Sequence, residues 1–174
     1  MLRLQPPAAD APGLPAVLFL GALLLLAGGL QGIVAPAPRP WAGGQPDLLL
    51  TVVLTAALLS DAAVGVVIGF AGGLITAAVV GETVGTLLAS RTLGGFAAGW
   101  FAGRLFRANP GVIVLGVFAA SLLTETLYIL AAPPRAAPPG VWLPAALLGS
   151  FWNALIAYPT MLALRSFGWG RGRV

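Results

Sequence analysis

Between Leu48 and Val80 the chain carries one charged residue, Asp61, and no proline. A run that long and apolar has no place in a small water-soluble domain. A chain of this size buries only about 70% of its extended surface on folding, and the rest must face solvent. The remainder of the chain follows suit: 59% of its 174 residues are hydrophobic and 8% are charged. Soluble domains carry about 25% charged residues. Lipid is the solvent that suits this surface, so the expected fold is all-α, a polytopic transmembrane helix bundle with little outside the bilayer.

The formal charge is +4, and all nine basic residues are arginine. They form no stripe or cluster of the kind that binds nucleic acid and read better as topology signals. Cys, His and Lys are absent. That removes disulfides, Cys/His zinc sites, His-based proton transfer and Schiff-base or P-loop lysines. No cofactor or metal is expected, and no enzymatic activity. Five carboxylates remain: Asp10, Asp47, Asp61, Glu82 and Glu125.

A helix needs about 20 residues to cross ~30 Å of hydrocarbon. Apolar runs near that length are Ala16–Val34, Leu48–Val80, Val84–Phe101, Gly111–Ala132 and Val141–Leu164, separated by Pro- and Gly-rich breaks. The first run is longer than the ~7–15 residues of a secretory signal, and Pro38 follows the Ala35-Pro36-Ala37 imitation of a cleavage site. It is expected to stay as an anchor. Leu48–Val80 is too long for one helix, and Ser60-Asp61 looks like a turn followed by an N-cap. Splitting it predicts Leu48–Leu59 and Ala62–Val80, and six spans, with five as the alternative. The short first piece would have to tilt little, thin the bilayer or lie partly at the interface.

Six spans with a cytoplasmic N-terminus place Arg3, Arg104, Arg107, Arg165, Arg171 and Arg173 inside, against Arg39 and Arg135 outside. Five spans only exchange Arg3 with Arg39. Either way the Arg104/Arg107 loop and the C-terminus face the cytoplasm by the positive-inside rule. Trp41 and Trp142 then fall at the outer interface, Trp100 and Trp169 at the inner one, and Trp152 near mid-span. Three segments follow: a Pro-rich cytoplasmic segment 1–15, a single bundle 16–165 and a basic cytoplasmic tail 166–174.

Small residues recur at spacing four. Gly65, Gly69 and Gly73 mark one face of the third span; Gly95, Gly99 and Gly103 mark the fourth. Such faces let helix backbones approach closely, either inside this bundle or against a partner helix. Four polar or breaking residues stand out within the spans: Arg91, Glu125, Asn153 and Pro159. An ionised carboxylate at Glu125 is costly unless protonated, paired or hydrated. Arg91, Asn153 and the hydroxyls of Thr124 and Thr126 are its candidate partners, in a buried clasp or, less simply, a ligand site. Asn153 calls for a cross-helix hydrogen bond, and Pro159 frees a backbone carbonyl and kinks its helix. Asp47 and Asp61 read as caps.

The order of these features resembles the bacterial rod-shape-determining MreD family. The resemblance rests on Pro46-Asp47-Leu-Leu-Leu, then Gly65-Val-Val-Ile-Gly69-Phe-Ala-Gly-Gly73-Leu74 and Gly94-Gly95-Phe-Ala-Ala-Gly99. Arg104-Leu-Phe-Arg107-Ala-Asn109-Pro110 comes next, then Glu125 and Gly149-Ser-Phe-Trp-Asn153-Ala-Leu-Ile-Ala-Tyr158-Pro159. The family often has an Asp soon after its Gly-Phe-x-x-Gly-Leu segment; Thr76 and Ala77 stand there in this chain, with Glu82 the next acid.

The resemblance implies a six-helix protein of the bacterial inner membrane, with a fold similar to the substrate-binding components of energy-coupling-factor transporters. It further implies a scaffold role in cell-wall elongation. The implied partners are a single-span MreC-type protein and, through the complex, MreB filaments and RodA-type and penicillin-binding peptidoglycan synthases. Anionic lipid would meet the arginines. The alternative is a small-molecule capture component of a transporter, with Glu125, Arg91 and Asn153 lining a polar pocket.

Overall fold

The computed structural model describes residues 12–34, 44–80, 84–102, 109–131 and 139–170. Among them every regular element is helical: α1 (Leu14–Val34), α2 (Leu48–Leu58), α3 (Ala62–Val80), α4 (Val84–Ala102), α5 (Pro110–Ala131) and α6 (Pro139–Ser166). Four of these, α1, α3, α5 and α6, are long and apolar enough to cross a membrane. Arg3, Arg39, Trp41, Glu82, Gly103, Arg104, Arg107, Arg135, Arg171 and Arg173 lie outside the described residues, and most of the expected topology signals with them.

Helix boundaries follow local chemistry. Asp47 takes an extended conformation and accepts a hydrogen bond from Leu50 N at 2.8 Å, capping α2. Asp61 caps α3 by accepting from Val64 N at 2.9 Å. Its side chain satisfies one of the donors that a helix start leaves orphaned. α6 starts at Pro139, two residues before the expected Val141. A proline in the first turn gives up an N–H that has no helical partner anyway. At the other end Gly168 adopts φ 92°, Gly168 N donates to Arg165 O and Trp169 N to Leu164 O, each at 3.0 Å. These two bonds form a Schellman stop, which needs a residue that accepts a left-handed backbone.

The arrangement is a ring around a hub. α1, α3, α4, α5 and α6 each pack on the next, α6 returns to α1, and α2 touches all five. Every residue from Leu49 to Leu59 is buried. The short helix α2 is therefore enclosed by protein and presents no face to lipid. Eleven residues make a helix of about 16 Å, and its length costs nothing because protein surrounds it.

The most extensive contact is α3 on α4. Gly65 and Gly95 meet backbone to backbone, so a Cβ on either would run into the other's carbonyl oxygen. Gly99 lies as close to the Asp61 carbonyl, and a Cβ on Gly73 would come within 3.0 Å of Leu88 Cα. Gly69 faces the Arg91 backbone. These five glycines therefore face the interior seam of the bundle, which leaves no glycine stripe on the described α3 and α4 faces for a partner helix.

The C-terminal turn also departs from expectation. Phe167 stacks on Phe19 with ring centroids 3.8 Å apart, and Trp169 is buried, its Nε1 donating to Ala56 O at 3.0 Å. Expected within a basic tail outside the bundle, Trp169 instead packs against the bundle beneath α2. The indole is apolar enough to pack there and its one donor finds a carbonyl near the end of α2.

Candidate functional site

The head of α2 gathers the polar side chains of the interior. The chain arrives there through residues 44–47, which are not helical. Gly44 is buried against Leu148 and Ala145 of α6, where a Cβ would not fit. Irregular backbone at such depth survives only where protein satisfies its N–H and C=O groups.

Side chains of α1 and α6 do so, and α4 adds an ion pair. Gln31 of α1 accepts from Leu48 N at 2.9 Å, and its amide reaches Pro46 O at 3.4 Å. Asn153, midway along α6, accepts from Asp47 N at 2.8 Å and donates to Ser121 Oγ of α5 at 3.2 Å. Arg91 of α4 forms an ion pair with Asp47 through Nη2 and Oδ2. Asp47 thus divides its carboxylate, one oxygen capping the helix and the other holding the arginine. Thr51 Oγ1 adds a bond to Asp47 O at 2.8 Å.

Each amide here replaces a backbone partner that a continuous helix or strand would have supplied. Polar hydrogen bonds between membrane helices average only ~0.6 kcal/mol. Leaving a buried donor unsatisfied costs more, about 1–3 kcal/mol. The clasp is best understood as avoiding that cost.

Arg91 is buried, and its Nε and Nη1 have no hydrogen-bond partner among the described residues; the same holds for Ser150 Oγ and Thr55 Oγ1. A buried ion pair satisfied at only one nitrogen contributes little net stability, although losing one partner leaves the other charge stranded.

The candidate residues now fall into place. Arg91 and Asn153 converge on Asp47 rather than forming the expected set around Glu125. Thr124 and Thr126 donate to carbonyls of their own helix, Ala120 O at 2.8 Å and Leu122 O at 2.7 Å. Glu125 is half-buried on α5. Pro159 lies within α6, as does Pro144. Sequence reasoning missed Gln31 and the ionic role of Asp47. The signal for Gln31 was available, since it is the one amide or charge in the Ala16–Val34 run.

Among the described residues, two grooves at the bundle surface are lined by apolar side chains. One, about 390 Å³, lies between α4 and α5 over Ala97, Phe101, Val112, Gly116 and Ala120, with Leu58 of α2 contributing. The other, about 430 Å³, separates α1 from α3 along Leu20, Leu24, Val64, Ile68 and Ala71, with Trp169 at one side. Neither is lined by Gln31, Asp47, Arg91, Glu125 or Asn153. Among the described residues no cluster of His, Cys, Asp and Glu is arranged to hold a metal. The chain matches no family model, no curated protein and no solved structure.

Proposed function

We propose that this chain is a non-catalytic scaffold of the bacterial inner membrane, acting in cell-wall elongation as its resemblance to the MreD family implies. On this reading all six helices enter the bilayer and the residues after α6 face the cytoplasm. A single-span MreC-type protein binds the bundle, and the complex joins MreB filaments to RodA-type and penicillin-binding synthases. Arg104, Arg107, Arg171 and Arg173 meet anionic lipid or cytoplasmic partners, each basic residue near a negative leaflet being worth ~1 kcal/mol.

One observation carries the scaffold over the transporter reading. Gln31, Asp47, Arg91 and Asn153 are engaged with the backbone of α2 and with one another. A capture protein for a polar small molecule instead directs a few polar groups into an open pocket, whereas here they hold the entry to α2. Because the glycine faces are used within the bundle, a partner helix must read some other surface.

Affinity purification from native membranes with mass spectrometry tests the proposal. The expected result is a single-span protein with an extramembrane coiled coil, together with cell-wall synthases. Recovery of a paired ATPase instead would replace the scaffold with a transporter. So would a vitamin or metal that raises thermal stability and loses its effect in Glu125→Gln.

A further inference from the structure

α2 is fastened at both ends by the last segment of the chain. At its head Asn153 accepts from Asp47 N at 2.8 Å; at its foot Trp169 donates to Ala56 O at 3.0 Å. Gly170, with φ 75°, brings the same turn against Leu59 O, where a Cβ would come within 3.0 Å. The first segment adds Gln31 on Leu48 N. α3 and α4, by contrast, meet through glycine backbones and the Arg91 main chain, a seam that requires nothing from α6.

We propose that α2 is a separately docking core helix, latched from head and foot by α6 and its terminal turn. It takes its place within a ring whose α3–α4 seam packs independently. Two physical facts lead there. An 11-residue helix is too short to be held by lipid as a span. The backbone before it is also intolerable in hydrocarbon until side chains cover it. Asn153 and Trp169 are the last of those groups to be synthesised, so the latch cannot close before α6 and its terminal turn have been made. Release of α6 at either end therefore frees the whole of α2 instead of fraying one turn, because α6 and its turn are the element that holds both ends, whereas Gln31 and Arg91 hold the head alone.

The absence of cysteine makes the test clean. Single thiols are introduced into the whole 174-residue chain at Val52→Cys near the head, Ser60→Cys beyond the foot and Ser90→Cys in α4, all buried positions. Each is combined with Asn153→Leu or Trp169→Leu, and alkylation by a small maleimide is timed in native membranes. Removing either fastening should raise the rate at both α2 thiols roughly tenfold, the effect of one lost buried bond on local opening, while the Ser90→Cys thiol stays protected. Labelling confined to the end nearest the substitution would overturn the proposal, since α2 would then only fray. Equal exposure of the Ser90→Cys thiol would overturn it too, because the bundle would then open as one body. Unchanged rates everywhere would show that the two bonds hold nothing.

Discussion

α1 and α2 are built from nearly the same material. Both are Leu-, Val- and Ala-rich and uncharged, yet α2 is wholly enclosed while Leu18, Leu25 and Ile33 of α1 are 63%, 68% and 73% exposed. In water such a difference would be written in the polar face of the exposed helix. In lipid the outward face is as apolar as the inward one, so hydropathy cannot tell hub from ring. What separates the two helices is length, and the polar residues that mark where α2 begins and ends.

The sharpest way to break this contrast is at the ion pair. Arg91→Leu should destabilise the bundle by about 3–5 kcal/mol, because Asp47 would keep a buried charge with no counterion. The double variant Asp47→Asn, Arg91→Leu should recover most of that loss, since Asn still caps a helix start. Chemical unfolding in mixed micelles compares the two; a double variant no more stable than the single one would mean that packing of the arginine stem matters more than charge.

A smaller gap separates matched truncations. Leu54→Ala in α2 removes a fully buried side chain and should cost about 2–5 kcal/mol. Leu25→Ala, on the outward face of α1, should stay within about 0.5 kcal/mol. Equal losses in the same unfolding assay would mean that α1 is covered by something in the membrane. Least of all should be lost at Gln31→Leu, about 1 kcal/mol, with the loss appearing as faster amide exchange at Leu48 rather than across α1.

Much of the fold was legible because membrane helices announce themselves by run length and by the prolines between runs. The division of Leu48–Val80 at Ser60-Asp61 was readable for a second reason: an Asp capping Val64 N is locally useful and centrally ruinous. The α3–α4 seam was readable from glycine spacing. The clasp was not. Asp47 and Arg91 lie 44 residues apart, and no periodicity links a cap at one helix start to an arginine two turns into another. The burial of Trp169 was not legible either, because nothing in the sequence links an indole past the last helix to a carbonyl of α2.

The stacked rings of Phe19 and Phe167 put the first turns of the first helix beside the turn that closes the last. The circle of helices around α2 is therefore closed between α1 and the end of α6. A chain in which α6 precedes α1, linked where those two rings meet, would assemble the same circle of helices around the same axle.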